Sequence, residues 1–301
     1  MFDSLRWDAY WEVRHSALFA LPSILSRLAS AQRRTVALET VVALSADQHP
    51  TVRSGVLESL GEVLHTFVNT PTGPPEELLR LFLGRREDRR VRNGQQFAMT
   101  APTSISQTPL EAFYAHPKRP LICAFNFPAV ALTLGASQWG ELRETYQDLT
   151  ENPEPDVLRT LAASLGELAR IIGPENARRD LVDVWWRLLR SDKLVRPKVV
   201  ESLEELVKVV GAGVGKALVE GVFKAWNEDV FKDWREREVI QKTLVAWLRL
   251  LGVESLTLFR GLLMKGLEDA AATVREAAIS AVSKVIVSAK TQLLTIVLLF
   301  L

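Results

Sequence analysis

The feature that most constrains this chain is a helical pattern of apolar residues that recurs about every 39 residues. Each copy places core residues at offsets 0, 4, 8 and 11 from an anchor position, which keeps them on one face of a helix. Five of the six spacings between anchors are 38 to 41 residues; the anchors are Val13, Val52, Arg119, Val157, Val195, Glu236 and Val274. A further apolar helix precedes most anchors. Because helix pairs with this period stack into solenoids, the pattern predicts an α-solenoid.

Residues that start and stop helices lie at fixed distances from the anchors. A short polar residue stands five positions before four of them, where its side chain is expected to cap the helix; these are Asp8, Asp47, Asn152 and Asp269. A glycine stands sixteen positions after four anchors, where a left-handed backbone is expected to end the helix; these are Gly135, Gly173, Gly211 and Gly252. No segment shows the sustained alternation of a strand, so an all-α fold is predicted.

Composition limits the classes of function that this chain can serve. It has 301 residues, of which 48% are hydrophobic and 24% charged, which is typical of an ordered protein. A net charge of +1 provides no global field for nucleic acid or an anionic membrane. The single cysteine, Cys123, excludes an internal disulfide and a cysteine-based zinc site. The start of the chain lacks a secretory signal, and its longest apolar run, 296–301, is far shorter than the roughly 20 residues of a membrane helix. We therefore expect a cytoplasmic or nuclear protein.

A Val-Arg pair follows the acidic turn at the start of several second helices. It occurs at Val13-Arg14, Val52-Arg53, Val195-Arg196 and Val274-Arg275, and Glu236-Arg237 is a near match. This pattern resembles the HEAT repeat, which implies a right-handed superhelix of the HEAT or armadillo type with about seven helix pairs. In such a stack each arginine is expected to reach the aspartate of a neighbouring repeat. The predicted ladder comprises Asp8, Arg14, Asp47, Arg53, Arg196, Arg237, Asp269 and Arg275, with breaks where Pro120 and Leu158 replace the arginine.

One spacing is 67 residues, which indicates an insertion within the third repeat. Residues 84–117 are predicted to form a mobile loop between the two helices of that repeat. The loop begins with an arginine-rich run, 85–92, which is either a nuclear-import signal, an anchor for acidic substrates or simply a solvated loop base. The whole chain, 1–301, is otherwise expected to be a single array, and both of its ends resemble the cut ends of a longer array.

Three stretches resemble a particular family beyond the generic repeat: 49–61, 126–146 and 159–173. They are similar to the HEAT-repeat regulatory subunits of protein phosphatase 4, relatives of the scaffold A subunit of protein phosphatase 2A, and the similarity extends over roughly 40–280. The resemblance implies a non-catalytic scaffold that binds a Ser/Thr phosphatase catalytic subunit and directs it to substrate proteins. It also implies contacts from the turns within repeats, where the candidate residues are Asp156, Asp192, Lys193, Phe231, Lys232, Trp234 and Arg235.

Two other binding roles remain open at this point. A HEAT adaptor for other clients, such as nuclear-transport cargo, would have the same repeats. A solenoid that binds nucleic acid would need a continuous basic stripe, which the neutral charge balance disfavours. The aromatic side chains of Phe231 and Trp234 also have a structural alternative, in which they pack back on their own repeat.

The residues give little support to catalysis, so no catalytic residue, metal site or cofactor is predicted. The histidines are scattered without a metal-binding pair; they are His15, His49, His65 and His116. Cys123 falls within an apolar helix frame and is expected to be a buried core residue. The segment 211–216 looks like a phosphate loop, but it is one residue too short and Ala217 replaces the required Ser or Thr. It is predicted to be a helix stop and a turn.

Overall fold

The protein folds into consecutive α-helices joined by short turns. The computed structural model describes residues 2–84, 108–252 and 255–284, and within these ranges there is no β-strand. The helices are α1 (Phe2–Arg6), α2 (Trp11–Leu25), α3 (Ser30–Ser45), α4 (Pro50–His65), α5 (Glu76–Leu83), α6 (Pro109–Tyr114), α7 (Arg119–Leu134), α8 (Trp139–Thr150), α9 (Pro155–Asn176, interrupted at Gly173), α10 (Val182–Leu189), α11 (Arg196–Val210), α12 (Ala212–Asn227), α13 (Trp234–Leu251), α14 (Leu256–Leu267) and α15 (272–284). The predicted all-α solenoid is confirmed.

The chain divides into two compact units, Met1–Thr160 and Leu161–Leu301. In the first unit the second helices of successive repeats pack directly on each other, α2 on α4 and α4 on α7. In the second unit α11 packs on α13 in the same way. Each second helix therefore buries one face against the helices beside it, which is how a repeat that cannot form a core alone becomes stable. The handedness of the superhelix, the repeat number and the single array stay predictions.

The core of each repeat is the apolar frame that the sequence predicts. Every position of the five internal frames, which start at residues 52, 119, 157, 195 and 236, is buried. The two charged anchors are buried as well, with Arg119 7% and Glu236 2% exposed. Only the outermost frames contain half-exposed members, at Val13, Ile24 and Val282. The frame therefore specifies the core whether or not its first residue is apolar.

Part of the predicted insertion loop is a helix. Thr108 and Glu111 form a capping box at the start of α6, in which the Thr108 hydroxyl accepts a hydrogen bond from the Glu111 N–H (3.3 Å) and the Glu111 carboxylate accepts one from the Thr108 N–H (2.8 Å). Phe113 is fully buried, and the Arg119 guanidinium lies 5.2 Å from its ring centre. Capping and burial thus order residues that their proline and polar content suggested to be a loop. The rest of that prediction, with the arginine-rich run, lies outside the described residues.

Glycine ends the helices through a backbone conformation that other residues avoid. The four predicted stops have φ between 75° and 93° with ψ of 161–179°, so their backbone is extended and not the left-handed helical conformation that the sequence suggested. This region is essentially restricted to glycine. At Gly211 the N–H still donates to the Val207 carbonyl oxygen (2.9 Å), and α12 begins at the next residue. The glycine-rich segment 211–216 is therefore a helix stop and a turn.

Replacing Gly211 with alanine should lower the free energy of unfolding by about 1–3 kcal/mol, because a Cβ makes this backbone conformation strained. Gly213 is a matched control two residues away, since it is helical, exposed and has nothing within 4 Å of where its Cβ would be. Gly213→Ala should be neutral or slightly stabilising. Urea denaturation measures both variants, and an equal effect of the two would contradict the role of the positive φ.

Candidate partner-binding surface

The turns before most second helices are held by their own acidic or amide side chain; in the turn before α7 the acceptor is instead the His116 ring, which accepts from the Lys118 N–H (3.3 Å). The side-chain oxygen accepts a hydrogen bond from the backbone N–H two residues later, at 2.8–3.0 Å; the pairs are Asp8–Tyr10, Asp47–His49, Asn152–Glu154, Asp192–Leu194, Asp233–Arg235 and Asp269–Ala271. The residues that the sequence predicts to cap the helices lie too far from the first helical N–H groups to do so. Their side chains instead stabilise the turn that precedes each helix. As a result, the turns present a fixed backbone conformation.

The ladder arginines tie these turns together within each unit. Arg14 donates through Nη1 to the carbonyl oxygens of Asp8 and Ala9, and through Nε and Nη2 to the carboxylate of Asp47 at 2.8 and 2.9 Å. Arg237 repeats both sets of contacts with its own turn and with Asp269. This two-nitrogen geometry is the strongest form of an Arg–carboxylate pair.

Other members of the predicted ladder deviate for reasons that the structure shows. Arg196 pairs with Glu236 (2.5 Å) instead of an aspartate, because Glu236 occupies the buried anchor position of the next repeat. Arg53 donates to the turn carbonyls of Asp47 and Gln48, and the position five residues before the next anchor, where an aspartate partner would stand, is Tyr114. Arg275 likewise donates to its own turn, at the carbonyls of Asp269 and Ala270.

The ladder holds two carboxylates in their charged form. Burial of Asp47 would raise its pKa, but hydrogen bonds from Arg14 and from the His49 N–H outweigh it, and the pKa lies below the ordinary value. The pKa of Asp269 is lowered in the same way, since bonds from Arg237 and the Ala271 N–H outweigh burial. Both carboxylates are therefore part of the structure of the turns.

Most of the predicted contact residues in the second unit are accessible. Asp192, Lys193, Lys232 and Arg235 are exposed. Trp234 is half-buried, and the Arg235 guanidinium lies over its ring at 4.4 Å from the centre. Leu194, which the sequence analysis did not single out, is 52% exposed beside Lys193. In the first unit Asp156 is exposed and pairs with Arg159 at 3.2 Å.

Phe231 does not belong to this surface. Its ring is 1% exposed and packs into the core, so the alternative in which it folds back on its own repeat is the correct one. The turn reverses at Asp229, a non-glycine residue with φ of 57°, and Arg237 donates to the Phe231 carbonyl oxygen (2.9 Å). These backbone constraints direct Phe231 inwards and leave Lys232 exposed.

Cys123 is a buried core residue, as the sequence predicts. Cys123 is 5% exposed, and burial raises the pKa of its thiol, which disfavours the nucleophilic thiolate. No group of three or more potential metal ligands occurs in the described ranges. No single described helix is long and apolar enough to cross a bilayer. Helix α7 reaches the necessary length and apolar character only together with the segment Ala136–Thr150, and the two are bent by 115° relative to each other.

The chain matches a known family over about a third of its length. The model of the protein phosphatase 4 regulatory subunit 1 middle domain matches residues 123–224. The human and mouse serine/threonine-protein phosphatase 4 regulatory subunit 1 are each 41% identical to the chain over 88 residues, which are 29% of this chain and 9% of the relative. The match thus spans about a tenth of these curated relatives. The chain is therefore similar to this regulatory subunit over that range, as the sequence predicts. The matched range includes Asp156, Asp192 and Lys193.

Solved structures give weaker likenesses. One is a chain from a study of tubulin recruitment by microtubule polymerases with arrays of TOG domains, 11% identical, with a TM-score of 0.37 over 95% of this chain and 68% of that one. Another is an engineered protein, 13% identical, with a TM-score of 0.29 over 94% of each chain. Likenesses of this size carry no argument about function.

Proposed function

We propose that this chain is a non-catalytic regulatory scaffold, located in the cytoplasm or nucleus. It would bind a Ser/Thr phosphatase catalytic subunit of the protein phosphatase 4 type and direct it to substrate proteins. The observation that carries the proposal is the match of residues 123–224 to the middle domain of a phosphatase 4 regulatory subunit. Under this proposal the metals and catalytic residues of the phosphatase belong to the partner.

The turns of the second unit supply a surface suited to such a partner. Lys193 lies in the turn before α11, and Lys232 lies in the turn before α13. These two helices pack on each other, and the Arg196–Glu236 pair joins their first turns, next to the two lysines. Two neighbouring turns therefore present cations close together, with an exposed leucine and a half-buried tryptophan beside them. Aromatic and arginine side chains of this kind dominate binding energy at protein interfaces. The surface favours a partner with acidic and apolar groups.

Reversing the charges at Lys193, Lys232 and Arg235 to glutamate should weaken binding of a purified phosphatase 4-type catalytic subunit by tenfold or more, because the charges oppose the partner and the Trp234–Arg235 stack is lost. Biolayer interferometry with the intact chain measures the dissociation constant. Lys216→Glu is the control, since Lys216 is exposed at the other end of α12.

The scaffold proposal is contradicted if the intact, folded chain fails to bind the catalytic subunit at all. If the triple variant and the control bind as tightly as the wild type, the phosphatase partner stands but the turns of the second unit are not its contact surface. Circular dichroism of each variant verifies that the helices are retained.

A further inference from the structure

The second helices of the first unit expose a stripe that the phosphatase proposal does not use. On α4 this stripe comprises Glu58, Glu62 and His65, whose spacings of four and three residues place them on one face. Gly55 and Gly61 border the stripe on its two sides, because each residue turns the helix by about 100°. Each glycine is also in close contact with a side chain of a neighbouring helix.

Helix α2 adjoins the stripe at Gly55. A Cβ at Gly55 would lie 2.8 Å from the His15 ring, so the imidazole packs directly on the glycine. The His15 ring also contacts Phe19 edge-to-face, with centres 5.0 Å apart. Phe19 lies one turn further along α2 and is 47% exposed. An aromatic ring is therefore exposed on the α2 side of the glutamates.

Helix α7 adjoins the stripe at Gly61. A Cβ at Gly61 would lie 2.3 Å from the Asn126 side-chain oxygen, and one turn later His65 Nδ1 lies 3.3 Å from the Thr133 hydroxyl. Phe125 precedes Asn126 and is 75% exposed, and Leu132 is 49% exposed. No charged residue follows Arg119 in α7. The α7 side of the glutamates is therefore an unpartnered apolar surface.

Glu58 and Glu62 give this face negative charge, and Glu58 also interacts electrostatically with His116 in the turn before α7. Within the described ranges, no basic side chain lies within salt-bridge distance of Glu58 or Glu62; Glu58 accepts a hydrogen bond from the Ser54 hydroxyl at 3.0 Å. The arginines of α2, α4 and α7 bind other groups. Arg14 donates to Asp47, Arg53 to turn carbonyl oxygens, and Arg119 to a carbonyl oxygen at the end of α5. In the second unit, by contrast, lysines pair with glutamates of the same helix, at Lys198–Glu201, Lys208–Glu204 and Lys242–Glu238.

We propose that this face, defined by Phe19, Glu58, Glu62, Phe125 and Leu132, docks a segment of a partner protein that carries both basic and apolar side chains. The carboxylates would bind lysine or arginine, and the exposed rings would bury apolar side chains beside them. Nucleic acid and anionic membranes share the charge of the face and would be repelled. A symmetric dimer through this face would place its glutamates against those of the second copy. The charge therefore favours a basic peptide.

The test uses the intact chain and a fluorescent synthetic peptide in which lysines alternate with leucine and phenylalanine. Fluorescence anisotropy should detect binding that weakens as salt rises. The double variant E58Q/E62Q and the single variant Phe125→Ser should each weaken it about tenfold, the loss typical of an interface hot spot. The controls are E220Q/E268Q, which makes the same change at exposed glutamates of the second unit, and Ile279→Ser, which removes an exposed apolar side chain there; both should bind like the wild type.

Three results would overturn the proposal. The first is absence of binding, or binding that neither E58Q/E62Q nor Phe125→Ser weakens. The second is equal binding of a peptide of lysine and serine, which would show that the exposed rings contribute nothing. The third is self-association in sedimentation that Phe125→Ser abolishes, which would assign the face to a second copy of the chain. Failure of the phosphatase experiment would leave this test unaffected, because the two surfaces lie in different units.

Discussion

Replacing Val199 and Leu203 together with aspartate is expected to unfold neighbouring repeats of the second unit, not a single helix pair. Both side chains are fully buried. Burying a carboxylate without a partner costs several kcal/mol, so two such changes reach the 5–15 kcal/mol that stabilises a typical domain. Helix α11 packs against α10, α12 and α13, and the Trp185 indole donates to the Val199 carbonyl oxygen (3.1 Å). Loss of α11 therefore removes the core of the helices on both sides.

Hydrogen exchange measured by mass spectrometry distinguishes these outcomes. Amide protection should fall in α10, α12 and α13 as well as in α11, and the helical signal in circular dichroism should fall accordingly. Ala217→Asp is the control, because Ala217 is exposed on α12 and its replacement should leave protection unchanged. Protection lost only in α11 would mean that the repeats do not share a core.

The core was predictable because its period follows from helix geometry. The frame from Val195 to Leu206 keeps every member on one face, and a helix in a stack has one face to bury. Glu236 interrupts the apolar pattern yet stays in frame, since its carboxylate meets Arg196 and the Asp233 N–H. Position within the period therefore predicts burial better than the polarity of a single residue does.

The surface was less predictable, because backbone geometry within turns decides which side chains point outwards. The sequence placed Phe231 and Trp234 in one exposed turn, but the positive φ at Asp229 and the bonds from Arg237 direct only Phe231 into the core. Similarly, the frame of α7 predicted that Phe127 is buried but carried no information about Phe125. Whether an outward residue is covered depends on the neighbouring helices, which periodicity does not describe.

Asp47→Asn is expected to lower the free energy of unfolding by about 3 kcal/mol at neutral pH. The asparagine can still accept a hydrogen bond from the His49 N–H, but the Arg14 guanidinium loses its charged partner, and removing one member of a buried pair is costly. The side chains of Arg14 and Asp47 are only 16% and 8% exposed. Urea denaturation of the intact chain measures the change. Asp156→Asn is the control, since the Asp156–Arg159 pair is half-exposed or more and should contribute 1 kcal/mol or less.

The pH dependence gives the same pair a second test. The pKa of Asp47 is lower in the folded protein than in the unfolded chain, so the unfolded chain binds more protons as the pH falls. The contribution of the charged Asp47 to the free energy of unfolding should therefore be complete above the pKa of an aspartate in the unfolded chain, about 4. It should be lost as the pH falls through the pKa of Asp47 in the folded protein. The difference in unfolding free energy between the wild type and Asp47→Asn should shrink over that range. A difference that stays constant into acid would mean that Asp47 acts through its hydrogen bonds and not through its charge.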